Sequence, residues 1–365
     1  MQIDFHHAVT YIVARFAGMD HDAAGIVATC CQLVDDNTED GLLLFRGGES
    51  VRRIASAHKT FDYRNFEELA QHHIWIPFHF LPGNESSPDI ALPPFYQRVI
   101  CRKDSTVART LMAAVIRDRA DAFALHRLGI TLHAYADTFS HQGFSGISSE
   151  SNTISMVLDE KGARDVEKER HIKKYFFGNC LGEWIHKFKS HVISEISPIG
   201  HSGVLSYPDK AYLKWQYIDY MGRTIKRDNP LIFLEAAEQM YIHIRRFMEG
   251  DSTRPITPLD DRRCHLLHDR LESYQDESSE KRHRRWLEDL ANGAFGFEPV
   301  SLKYHESTGD QWEMRALGYQ VPEQGELTFT SRIFNSNWWH FQTALSRHVY
   351  VLLHEVLPQH ELCVT

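Results

Sequence analysis

Paired cysteines, long apolar runs and an excess of basic charge are all missing from this chain of 365 residues, and each absence argues against a class of protein. Its six cysteines, Cys30, Cys31, Cys101, Cys180, Cys264 and Cys363, include no CxxC pair, and Cys30 and Cys31 cannot readily bridge each other on a helix. Neither a thiolate zinc knuckle nor a disulfide framework is suggested, so the cysteines read as small core residues or free thiols. No run approaches the ~18 apolar residues of a membrane-spanning helix, and stable membrane insertion is not expected. The opening Met1-Gln2-Ile3-Asp4-Phe5-His6-His7 lacks the basic and apolar regions of a secretory signal, so a cytoplasmic location is expected unless export is signal-independent. A formal net charge of -9 argues against general nucleic-acid binding or an anionic-membrane surface. Internal repeats and low-complexity segments are also lacking.

Histidine, by contrast, is abundant, at 23 residues. Imidazole is the commonest protein ligand for zinc and its neighbours. The informative stretch is Leu132-His133-Ala134-Tyr135-Ala136-Asp137-Thr138-Phe139-Ser140-His141-Gln142-Gly143, a His/Asp/His triplet at steps of four in an apolar helical pattern. Such steps put His133, Asp137 and His141 on one helix face, where unpaired burial would cost several kcal/mol. Residues eight apart lie roughly 12 Å apart along the axis, too far to share one ion easily. Two ions about 3.5–4 Å apart could each take one histidine and share Asp137.

The apolar periodicity predicts helices over residues 8–17 and 23–34, the second capped by Asp20 or Asp22, and over 66–73, 107–119, 120–140, 175–196 and 231–248. Residues 75–83 should be extended or turning, because Pro77 and Pro82 flank His79. A charge-dense, largely solvated helix is expected over 269–289, a turn-rich segment with a few short strands over 293–328, and an aromatic helix over 334–356. The architecture expected is all-α: a helical, bundle-like metal-binding domain over 1–250 and a smaller, mostly helical C-terminal extension over 251–365.

Four further clusters carry ligand chemistry. His6 and His7 follow Asp4-Phe5. Asp35 and Asp36 end a helix, where carboxylates oppose the helix dipole and call for a cation. His79 lies between Phe78 and Phe80, and His201 sits in Pro198-Ile199-Gly200-His201-Ser202-Gly203 with Asp209 eight residues on. Ordinary roles compete at each: a polar start, a solvated turn, a satisfied core histidine, a plain turn. Together, nitrogen and carboxylate ligands favour zinc, with manganese or iron as alternatives, and suit two-metal hydrolysis. The aromatic residues Trp75, Phe78, Phe80, Tyr135, Phe139, Phe144 and Tyr207 could wall a pocket, though such residues more often form core.

This order of residues resembles the zinc-dependent phospholipase C and S1/P1 nuclease superfamily. Asp4-Phe5-His6-His7, Val34-Asp35-Asp36 and His133 through Gly146 are similar, more closely, to a mainly bacterial family of unknown function, over roughly residues 1–247. The superfamily resemblance implies an all-α phosphodiesterase with up to three zinc ions held by His7, Asp35 or Asp36, His79, His133, Asp137, His141 and His201. Asp137 would bridge, and the acid at Asp35/Asp36 would double as general base. Two departures stand out. Superfamily members begin with a Trp, whereas Met1 is not Trp and lies several residues before His6-His7, and Leu205 stands four residues after His201, where an acid is expected. Asp209 could substitute if its loop folds back. A rival likeness to HD-type phosphohydrolases rests on His21-Asp22, but Asp20-His21-Asp22 suits a helix N-cap better. The expected activity is hydrolysis of a small-molecule, lipid or nucleotide phosphoester by water activated on one to three ions. The alternatives are a metal-stabilised binding or effector protein and a non-haem iron enzyme.

Overall fold

The computed structural model describes residues 1–58, 71–84, 93–159, 161–167, 170, 200, 204–321 and 325–364. A π-helical stretch, Asp4–Val9, runs directly into helix α1, Thr10–Phe16. Helix α2, His21–Asp36, starts where Asp20 accepts a hydrogen bond from the Ala23 amide at 2.8 Å. His21-Asp22 is thus the first turn of a capped helix. Strands β1, Gly41–Leu44, and β2, Ser50–Arg53, pair antiparallel. Helix α3, Thr106–Arg117, precedes α4, Ala124–Ser140, which is buried on nearly all sides, carries His133 and Asp137 and is capped at its C-terminus by His141.

A second antiparallel sheet, in the order β3-β4-β5, comprises Ile154–Leu158, Lys214–Asp219 and Thr224–Asp228. The two sheets overturn the all-α expectation: the chain is helix-rich but mixed. The reason lies in β4, where Trp215, Tyr217 and Asp219 are buried in strict alternation, a period of two that no helix can satisfy. Gly222, with φ of +76°, closes the turn into β5.

Helix α5, Asn229–Glu249, ends at Gly250 as the sequence predicts, with Gly250 left-handed at φ +75°. The charged stretch around residues 269–289 forms not one solvated helix but two, α6, Asp261–Ser273, and α7, Ser279–Ala291. Arg282 and Trp286 of α7 are fully buried. Where short strands are expected over 293–328, the described residues form helix α8, Thr308–Ala316, and a bridge of Leu327 to Phe45. Helix α9, Asn337–Tyr350, continues into a π-helical stretch, Val351–Val356. Residues 71–78, read as the end of one helix and a non-helical turn, are helical: a π-helical stretch, Gln71–Trp75, runs into a short α-helical turn, Ile76–Phe78, with Pro77 near its start. The helix expected over 175–196 and most of that expected over 66–73 lie outside the described residues.

The main core joins Phe5, Tyr135, Phe139 and Phe233 to Trp286, Leu290, Val351 and Leu357, so residues beyond 250 complete it. Helices α2 and α4 pack closely at its centre. Gly129 makes this possible, since a Cβ there would stand 2.4 Å from the Val27 carbonyl oxygen and 2.7 Å from Cys30 Cβ. No helix among the described residues is long and apolar enough to cross a membrane.

Candidate metal centre

Asp137, in α4 and 1% exposed, lies at the meeting point of groups from four other segments. Its Oδ1 faces the Met1 amine at 2.5 Å and His6 Nε2 at 3.2 Å. Its Oδ2 faces His133 Nε2 at 3.3 Å, His79 Nδ1 at 3.4 Å and His141 Nδ1 at 3.5 Å. Asp35, at the end of α2, brings Oδ1 to 3.6 Å from His133 Nε2 and 3.8 Å from His79 Nδ1. A short 3₁₀ turn, Tyr207–Asp209, sets Asp209 Oδ1 3.0 Å from His141 Nε2 and 3.2 Å from the Met1 amine.

Backbone carbonyls fix three of the imidazoles. The Nδ1–H of His133 donates to the Cys31 carbonyl at 2.7 Å, the Nε2–H of His79 to the Ser56 carbonyl at 3.0 Å, and the Nδ1–H of His141 to the His79 carbonyl at 2.8 Å. A carbonyl only accepts, so the donating nitrogen carries the proton and the other turns a lone pair inward. His133 Nε2 and His79 Nδ1 then face each other at 3.2 Å, and His141 Nε2 faces a carboxylate. Lone pairs so placed repel unless a proton or a cation lies between them. Carbonyl or carboxylate partners on the outer nitrogen are also what orient histidines that bind metals.

The charge balance points the same way. Three carboxylates, Asp35, Asp137 and Asp209, surround one ammonium, that of Met1, leaving an excess of two negative charges. Burial works against the Met1 ammonium, but Asp137, Asp209 and Asp35 raise its pKa to about 11. Burial would lift the Asp137 carboxyl, yet His141, the Met1 amine, His133 and His6 hold it well below the ordinary carboxylate range. Burial disfavours charge on His79, whereas the Asp137 and Asp35 carboxylates that face its Nδ1 raise its pKa, favouring a positive charge, a proton or a cation, at that nitrogen. His6 is driven down to about 3, first by burial and then by His133, whose ring stacks on it at 3.8 Å. With its imidazoles neutral, this set of ring nitrogens and carboxylates carries excess negative charge and fits a divalent ion.

The adjacent pairs separate. His6 faces Asp137 and Asp35 faces His133 and His79, whereas His7 Nδ1 meets His283 Nε2 at 2.9 Å, and Asp36 accepts from Tyr304 at 2.5 Å. Burial raises the Asp36 pKa to about 6. His201 lies outside the described residues. Of the aromatics, Phe80 stacks on His141 at 4.6 Å and Trp75 tilts against His79 at 5.2 Å, but Phe78 stacks on His348, away from the centre.

Three participants escaped the sequence reading. Cys31 Sγ, His6 and His133 offer ligand atoms within 4.8 Å of one another, as do Asp35, His79 and His133. The signal was there, because Cys31 and Asp35 stand four apart on one face of α2. Gly129 sets the helix spacing. Arg227 of β5 donates from Nη2 to the carbonyls of Phe139 at 2.9 Å and Ser140 at 2.7 Å, closing the end of α4 beside His141.

No curated protein and no solved structure matches the chain. A family model does, over residues 1–356, and its description is a family of unknown function, DUF6765. Nearly the whole chain, with both the α4 triplet and the C-terminal helices that complete its core, therefore belongs to the DUF6765 family.

Proposed function

We propose that the chain is a metal-dependent hydrolase of phosphoester bonds, using one to three ions, zinc foremost and manganese or iron as alternatives. The observation that carries the reading is the set of three imidazoles, each anchored through one nitrogen to a backbone carbonyl, with the other nitrogen facing a carboxylate or a neighbouring imidazole. The order of these residues, which resembles that of the phospholipase C and S1/P1 nuclease superfamily, supports the choice of reaction. Bound divalent ions supply hydroxide at neutral pH and hold phosphate oxygens.

The residues divide the work. Asp137 turns its two oxygens to different nitrogens, the arrangement of a bridging ligand. Asp35 is the ligand candidate open to solvent, at 32% side-chain exposure against 9% or less for Asp137, Asp209, His6, His79, His133 and His141. It is placed to accept the proton of an attacking water on its carboxylate. His79, His133 and His141 bind through the ring nitrogen that does not meet a carbonyl, and His6 binds through its imidazole beside Asp137. Lipid, nucleotide and small phosphoesters are the substrate classes.

A second reading, a metal-stabilised binding or effector protein, draws on that same burial. One experiment separates the two. Purified full-length protein is expected to contain roughly one to three transition-metal ions per chain by elemental analysis. It should hydrolyse at least one member of a panel of phosphomonoesters, phosphodiesters, nucleotides and phospholipids. His133→Ala and Asp137→Ala should lose both metal and activity. Folded, metal-free wild-type protein sinks both readings. Bound metal with a large chelator-induced fall in Tm and no hydrolysis favours the structural role.

A further inference from the structure

We propose that Cys31 Sγ is a ligand, with His6 and His133, of one ion in this centre, so that the site is a mixed nitrogen, sulfur and oxygen site. The inference rests on the metal reading above and deepens it. Cys31 is fully buried in α2, with Sγ 3.6 Å from His6 Nδ1 and 3.5 Å from Thr10 Oγ1. Its own carbonyl takes the Nδ1–H of His133 at 2.7 Å, so one residue both orients that imidazole and brings sulfur beside it. The independent observation is His6 Nε2. It is buried without a hydrogen-bond partner among the described residues, and it lies 3.2 Å from Asp137 Oδ1. His6, His133 and the Cys31 thiol each bring a ligand atom to within 4.8 Å of the others, and the single S–H proton can satisfy only one of the two imidazoles, whereas a cation serves all three.

The donor set selects the ion. Thiolate and imidazole favour zinc and its borderline-soft neighbours over manganese or magnesium, which prefer oxygen. His133 has a single free nitrogen, so it serves the sulfur-bearing ion, and Asp35, His79 and Asp137 remain for a harder neighbour. When the ion binds, the S–H bond breaks, a metal–sulfur bond forms and the proton leaves to solvent.

Cobalt(II) substitution of the full-length protein tests this, because a cobalt–thiolate bond adds charge-transfer absorption in the near ultraviolet to the visible bands of cobalt in a nitrogen and oxygen site. The wild type and Cys30→Ser should show that absorption. Cys31→Ser should lose it, keep the visible bands and bind zinc at least about tenfold more weakly, with manganese binding unchanged. If Cys31→Ser fails to fold, X-ray absorption of the zinc-loaded wild type decides, through a sulfur shell at about 2.3 Å that persists in Cys30→Ser and Cys101→Ser. Cobalt bound without charge-transfer absorption, or zinc without a sulfur shell, overturns the role of Cys31 and leaves the hydrolase proposal standing. Failure to bind either ion overturns both.

Discussion

Arg227 shows how much of the centre depends on a residue with no metal-binding chemistry. Arg227 is 6% exposed, and its guanidinium meets the carbonyls of Phe139 and Ser140, at the end of α4 where carbonyls lack an intrahelical partner, and that of Gln142 just beyond. Gly143, with φ of +96°, then turns the chain away. Without the arginine, buried carbonyls lose a charged donor and the last turn, with His141, is free to unwind. Arg227→Met should cost roughly 2–4 kcal/mol in urea unfolding and lower the metal content of the purified protein. Unchanged metal stoichiometry in this variant would mean that His141 is held by its own bond to the His79 carbonyl. At this scale the sequence was only partly legible. His133, Asp137 and His141 stand out because a helix aligns residues four apart. His6 and His7 do not separate by inspection, because neighbours on a helix point about 100° apart and the choice belongs to whatever packs on them. Here a buried ion pair of Arg282 with Asp4, at 2.7 Å, fixes the N-terminal stretch, and His283 takes His7. Tyr304 settles Asp35 against Asp36 in the same way. All three deciding residues lie about 250 or more positions away in the chain.

Among the elements, the contact of α2 with α4 sets the geometry of the centre, since α2 carries Cys31 and Asp35 and α4 carries His133 and Asp137 with His141 at its C-cap. Gly129 is the position where the two backbones come closest. A methyl group there would clash with a backbone oxygen and with Cys30 Cβ, neither of them the free end of a flexible side chain. Gly129→Ala should therefore push the helices apart, at a cost of about 1–3 kcal/mol despite the better helix propensity of alanine. The shift moves Cys31 and Asp35 away from His133, so metal affinity should fall in a direct titration even where circular dichroism is unchanged. Wild-type affinity in a destabilised Gly129→Ala protein would show that the centre tolerates helix displacement. The helices themselves were legible from their apolar spacing. The β3-β4-β5 sheet was not, because its strands are five or six residues long and the alternation of Trp215, Tyr217 and Asp219 is brief. Yet the sheet carries Arg227, and it begins its central strand just after Asp209, so the element that escaped the sequence reading helps assemble the site that did not.

Over the whole molecule, the abundance of histidine has a second consequence, independent of metal. His126, His243, His283 and His348 are each 5% exposed or less, and burial lowers the pKa of each to about 4. In the unfolded chain the same groups titrate near the ordinary value of about 6.5. Above that pH they are neutral in both states and contribute no pH dependence. Between 6.5 and 4 the unfolded chain takes up protons that the folded chain refuses, so stability falls as pH drops. Each group adds a slope of up to about 1.4 kcal/mol per pH unit. Protonation of metal ligands would act in the same direction, so His243 provides the cleaner test. It lies on α5, its ring packs edge-on against Tyr135 at 4.7 Å, and its buried Nδ1 has no hydrogen-bond partner among the described residues. His243→Phe keeps the aromatic contact and removes the titrating group. Urea unfolding of wild-type protein is expected to lose stability steeply from pH 6.5 to pH 4. His243→Phe should lose about 1 kcal/mol less per pH unit in that window and match or exceed the wild type at pH 7.5. Parallel pH profiles for the two proteins would show that His243 is protonated in the folded state and that its buried nitrogen has a partner.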